Sequence, residues 1–269
     1  MNVAKRLKES AKIALNRLPA ALSGFAIRDD DVFLVSYPKS GNTWTRFLVG
    51  NLASGADGSV GFDTIDRVVP DIYKTTADVL DSLEGQRFIK SHAAFRPEYG
   101  KVIFIVRNPL DVMVSYFHFQ KKVRTIPADT AIEDYAQVFL DRAGPYGTWA
   151  QNVGSWLGAM DGSPNFLLLR YEDMLDDTAS ALAKIAQFAG LDGNEATVAR
   201  AVELSSADNM RRLEQEQQGA WKATKDSDKS IPFVRKAGSG GWRDEVSDEL
   251  AARIRERWAD TMARLGYDA

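Results

Sequence analysis

The chain has 269 residues, 45% of them hydrophobic and 26% charged, with a formal net charge of -3. That balance fits a soluble globular chain with a sizeable core, and with no broad basic field it argues against a nucleic-acid partner. Zero cysteines exclude disulfides and thiolate metal sites, two histidines argue against a histidine-rich metal centre, and no apolar run is long enough to span a membrane. A cytoplasmic home is the matching expectation.

Residues 1–24 carry Lys5, Arg6, Lys8, Lys12 and Arg17 among Val3, Leu7, Ile13, Leu15 and Leu18. They lack the continuous apolar stretch of a secretory leader. The pattern predicts a basic amphipathic helix, which either packs on its own domain or makes peripheral contact with a membrane surface. Next comes a buried-strand candidate near 32–36, then Tyr37-Pro38-Lys39-Ser40-Gly41-Asn42-Thr43-Trp44, then a helix near 42–53. A strand that turns into a helix mouth presents free N–H groups and the positive end of the helix dipole, a natural anion site. Lys39 adds a full charge, Gly41 allows close backbone approach, Ser40 and Thr43 add donors, and Trp44 is available to stack on a base. The order differs from G-x-x-x-x-G-K-[ST], because Lys39 precedes the glycine.

Further strands are expected near 87–91, 101–106 and 165–170. Helices are expected near 110–122, 131–141, 148–159, 178–190, 194–204 and 247–265. Pro109 and Asp111 suit the first turn of the 110–122 helix. Alternation of this kind predicts a single α/β domain over 1–269, with a central parallel sheet flanked by helices. Ligands in such sheets bind beyond the carboxyl ends of the strands, where Lys39, Lys90 with His92, Arg107 and Tyr171 all fall. Arg107 can fork onto a phosphate, and Ser115 lies one to two turns into the helix that follows. The polar, glycine-containing stretch 215–241 reads as a mobile loop that closes over a ligand.

The first loop, together with Arg107-Asn108-Pro109-Leu110-Asp111 running on to Ser115, resembles the sulfotransferase family that uses 3′-phosphoadenosine 5′-phosphosulfate (PAPS), in its cytosolic small-molecule branch. Lys90-Ser91-His92 is similar to the strand end that carries that family's catalytic lysine and histidine. Arg235-Lys236-Ala237-Gly238-Ser239-Gly240-Gly241-Trp242 is similar to its nucleotide-closing loop. The resemblance implies a P-loop-like nucleotide-binding architecture. It also implies that Lys39, Ser40, Gly41, Asn42, Thr43 and Trp44 meet the 5′-phosphosulfate side. Arg107, Ser115, Arg235, Lys236 and the Ala237 N–H would hold the 3′-phosphate, with Tyr171 and Ser206 near the adenine.

Three departures stand out. Asn42 replaces a threonine, and Ala207 removes a ring near the base. Ala237 replaces a glycine, at a cost of about 1 kcal/mol or more if its φ is positive. The family's C-terminal dimer motif is not reproduced, which leaves the oligomeric state open.

His92 is the natural general base, with Lys39 and Lys90 stabilising charge on the leaving and transferred groups. The implied reaction moves a sulfuryl group from PAPS to a hydroxyl of a small molecule. It leaves 3′-phosphoadenosine 5′-phosphate (PAP) and needs no metal. His118 reads as structural or pocket-lining. Two alternatives remain at this stage: a nucleotide or small-molecule kinase, and a PAP-binding protein without turnover. The acceptor pocket is expected from residues 54–86, 93–99 and 119–149, whose apolar and aromatic side chains equally suit an ordinary core.

Overall fold

Four short runs of β-branched, leucine and phenylalanine residues pair side by side. They are β1 (Val32–Ser36), β2 (Phe88–Ser91), β3 (Val102–Val106) and β4 (Phe166–Arg170). The computed structural model describes residues 25–55, 58–141, 145–217, 219–221 and 224–267. The expected helix over 1–24 lies outside them. The strands form one parallel sheet in the order β2-β1-β3-β4. β1 pairs with β2 from Val32 opposite Phe88, and β3 pairs with β4 from Val102 opposite Phe166.

Side chains alternate across the sheet, as the period of two requires. Val32, Leu34, Ile103 and Ile105 enter one hydrophobic cluster, and Phe33, Val35, Phe104 and Val106 enter the other. Helices cover both faces. α1 (Asn42–Ala53) belongs to the first layer, with two short helices following it, α2 (Ile65–Val68) and α3 (Ala77–Ser82). α4 (Pro109–Lys122), α5 (Ile132–Asp141) and α6 (Trp149–Met160) lie in the second layer. α7 (Tyr171–Asp176), α8 (Thr178–Ala189) and α9 (Glu195–Leu204) return to the first, and α10 (Ala207–Glu216) follows. The single α/β domain with a parallel sheet is thus the observed architecture.

The helix expected over 247–265 is two helices, α11 (Asp248–Arg257) and α12 (Ala259–Arg264). Trp258 separates them with φ -126°, and its buried ring packs on Trp149 and Phe139. Burial of that indole outweighs continuity of the helix. The stretch expected as a loop from 215 begins inside α10. Farther on, it is tied to the body at several points. Lys122 donates to the carbonyls of Asp228 and Ile231, and Glu214 accepts from the N–H groups of Phe233 and Val234.

β1 sits between β2 and β3, so the chain leaves it first to one side and later to the other. That is a topological switch point, where a crevice opens beyond the strand ends. The loop after β1, the end of β2 and the end of β3 meet there.

Candidate active site

Gly41 opens α1 with φ 97°, a left-handed conformation that disfavours other residues. A Cβ there would lie 2.4 Å from a ring carbon of Tyr171, so glycine is required for packing as well. Lys39 also has a positive φ, 72°. No side chain caps α1, and its first turn holds no acid, so the positive end of its dipole is uncompensated. The loop borders a cavity of about 560 Å³.

That cavity brings together almost every residue the sequence singled out. Lys39, Gly41, Asn42, Thr43, Trp44, Lys90, His92, Arg107, Ser115, Tyr171, Ser206, Arg235, Lys236 and Ala237 all line it. Ser40 does not line it. It is fully buried, and its Oγ has no partner among the described residues. The Asn42 amide turns inward and donates to the Leu34 carbonyl and the Ser36 Oγ, so its backbone N–H is what remains for an anion.

One end of the cavity is aromatic. The Trp44 indole donates to the Ser205 carbonyl at 3.1 Å and meets the Tyr171 ring edge to face at 5.6 Å. Ser206 caps α10 by accepting from the Asn209 N–H. Arg107 lies 4.5 Å over Tyr171 and donates to the carbonyls of Lys39 and Gly238, while its buried Nε has no partner among the described residues. Arg235 pairs with Glu245 at 2.8 Å, and Lys236 with Asp244 at 2.8 Å. Glu245 also bonds His118, which does not line the cavity. Hydrogen bonds from His118 and Arg235 overcome the effect of burial and lower the Glu245 pKa. Ala237 has φ 51°, as the glycine-to-alanine departure anticipated.

Three cavity-lining groups, Lys39, Lys90 and His92, carry lowered pKa values. The Lys39 ammonium sits 4.3 Å from the Phe119 ring centre and 4.6 Å from that of Phe233. Burial, then Arg107, Arg235 and Lys122, push its pKa down to about 7. Lys90 pairs with Asp71 at 3.0 Å, and burial pulls it down to about 8 against that attraction. Burial opposes ionisation of Asp71, yet Lys90 and Lys74 hold its carboxyl well below the usual range.

His92 Nδ1 lies 2.7 Å from the Ser36 carbonyl. A carbonyl can only accept, so Nδ1 carries the proton and Nε2 keeps its lone pair. Burial, then the Lys90 charge, hold the ring well below its ordinary pKa, which keeps it neutral at physiological pH. The Tyr73 hydroxyl accepts from the His92 backbone N–H at 3.0 Å and so holds the main chain that carries the ring.

Several supporting contacts carry no local sequence signal. Asp111 accepts from the N–H groups of Gly240 and Trp242, tying the Arg235–Lys236 loop to α4. Glu172 accepts from the Asn108 N–H and the Tyr267 hydroxyl, bracing the start of the same helix.

A sulfotransferase-domain family model matches residues 29–266. The amine sulfotransferase of Oryctolagus cuniculus is 28% identical over 252 residues, spanning 90% of this chain and 83% of that protein. Sulfotransferase 4A1 of Mus musculus is 32% identical over 193 residues, 68% of this chain and 67% of its own. Among solved structures, mouse sulfotransferase SULT7A1 complexed with PAP superposes with a TM-score of 0.73 at 27% identity, covering 92% of this chain and 88% of that one. With the fold, the strand-end loop and nearly the full length in agreement, the chain belongs to the sulfotransferase family.

Proposed function

We propose that the protein moves the sulfuryl group of PAPS to a hydroxyl of a small-molecule acceptor, with His92 as general base. The observation that carries this reading is the His92 ring, held through Nδ1 by the Ser36 carbonyl, with no hydrogen-bond partner on Nε2 among the described residues, in the cavity that Lys39, Lys90 and the mouth of α1 also line. The acceptor gives its proton to Nε2 as its oxygen bonds to sulfur. The bond from sulfur to the bridging oxygen of the 5′-phosphate breaks in line, and the products are a sulfate ester and PAP. Lys39 meets the charge that builds on the leaving phosphate, and Lys90 meets the sulfuryl oxygens. Preorganised donors of this kind are usually the largest catalytic term. With two ammonium groups and the N–H groups of α1 in place, the chemistry needs no metal.

Arg107, Ser115, Arg235, Lys236 and the Ala237 N–H hold the 3′-phosphate in this reading. The unpartnered Arg107 Nε supports it, because a buried donor calls for an acceptor. Trp44, Tyr171 and Ser206 receive the adenine, and residues 215–241 close over the nucleotide. The cysteine-free sequence suits a cytoplasmic enzyme.

The test is calorimetry with PAP, AMP and ATP, with and without magnesium, followed by transfer assays with radiolabelled PAPS. PAP should bind tightly and AMP weakly. Lys39→Ala should cost about 10²–10³ in transfer rate with the melting transition preserved. Magnesium-dependent preference for ATP would replace this reading with a kinase, and PAP binding without transfer to any hydroxyl compound would leave only a nucleotide-binding protein.

A further inference from the structure

Lys74 and Trp221 also line the cavity, and the transfer chemistry does not use them. Lys74 stands between α2 and α3, close to the Asp71–Lys90 pair. Its ammonium lies 3.7 Å from the Asp71 carboxylate, longer than a hydrogen bond, and 5.5 Å from the Trp221 ring. Among the described residues its three N–H donors meet no hydrogen-bond acceptor. Trp221 is 6% exposed, and its indole packs on Phe62 and Phe233. Its Nε1–H is buried with no partner among the described residues. A buried N–H without an acceptor is uncommon and calls for one.

The charges on this side point the same way. Lys74 and Lys90 share a single carboxylate, Asp71, which among the described residues is the one acid that lines the cavity. Asp71 Oδ2 accepts from Lys90 at 3.0 Å and lies 3.7 Å from the Lys74 ammonium, and Oδ1 accepts from the Tyr73 N–H. A cationic acceptor would therefore meet two ammonium groups around one carboxylate that Lys90 already pairs with. Lys74 and Trp221 instead offer one charged and one neutral donor, which suits the two oxygens of a carboxylate.

We infer that the preferred acceptor is a hydroxy acid, with its hydroxyl at His92 and its carboxylate received by Lys74 and the Trp221 indole N–H. This rests on the sulfotransferase reading and specifies its substrate class.

Three phenols of similar size test it: p-hydroxyphenylacetate (anionic), p-ethylphenol (neutral) and tyramine (cationic). Each is titrated by calorimetry into the PAP-saturated protein, and each is assayed for transfer from PAPS. The anionic phenol should bind about tenfold or more tighter than the neutral one, as expected of one charge-assisted contact, and tyramine should bind weakest. Lys74→Met should remove the difference between anionic and neutral phenols, and Lys74→Glu should reverse the order. PAP binding by each variant reports that the fold is intact. Equal binding of the three phenols, no binding of the anionic one, or an anionic preference that survives Lys74→Met overturns the inference. Failure of the wild-type protein to bind PAP would instead overturn the sulfotransferase reading itself.

Discussion

Asp31 and Arg87 stand where β1 and β2 begin, and Lys39 and Lys90 stand where the same strands end. At the first edge, Arg87 donates to both Asp31 oxygens at 2.7 and 2.6 Å and to the carbonyls of Leu80 and Ala26. Asp31 also accepts from the Arg28 N–H. Both ions are buried, and their hydrogen bonds are made within the protein. At the other edge, Lys39 faces two aromatic rings and makes no ion pair among the described residues, and the Ser40 Oγ and Arg107 Nε have no partner among them. Burial lowers two lysine pKa values there, and neighbouring like charges add to it. Buried charge that is satisfied locally holds the sheet together, whereas buried charge left in need of an anion prepares a binding site.

The largest effect that would sharpen this contrast lies in the chemistry. His92→Asn should lower kcat by about 10²–10⁴, the usual contribution of a general base, while PAP affinity holds. Equal losses in PAP affinity and rate would show that His92 acts by shaping the pocket. Next in size, Arg87→Ala leaves Asp31 as a buried unpaired carboxylate and should cost about 3–5 kcal/mol in denaturant unfolding. The folded fraction should still bind PAP. A loss of PAP affinity in the folded protein would break the separation of the two edges.

A third effect is a proton. Lys39 titrates near 7, and a phosphate beside it raises that value. Binding therefore takes up a proton. The affinity that Lys39 contributes is fully present below about pH 7 and is lost as pH rises through its raised, bound-state value. Calorimetry of PAP binding at about pH 8, in buffers of different ionisation heat, should show net uptake that shrinks in Lys39→Met. Uptake unchanged in that variant would assign the proton elsewhere, with Lys90 next in line. The smallest expected effect is Ala237→Gly. Relief of the left-handed strain outweighs the added chain entropy, and thermal unfolding should show a gain of about 1 kcal/mol or less.

Much of this molecule is legible in one dimension. The four strands were expected within a residue of where they lie, because buried parallel strands read as continuous apolar runs. Lys39, Lys90 with His92, Arg107 and Tyr171 were visible for the same reason: each lies at or just past the carboxyl end of a strand. What the sequence hid depends on distant partners. Asp111 to Gly240, Glu172 to Asn108 and Lys122 to Ile231 join segments with no shared periodicity. The break at Trp258 was hidden as well, since it reflects an indole finding Trp149 and Phe139 rather than any helix-stop residue.

The group that fixes the His92 tautomer is the carbonyl of Ser36, a main-chain atom. In many enzymes a carboxylate side chain does that job, and a single base change in the gene can delete it. Here every residue type at position 36 supplies the same oxygen, so no missense substitution removes it outright. The orientation of the imidazole is inherited from the path of the central strand. It should persist through changes of acceptor range that rebuild the surrounding loops.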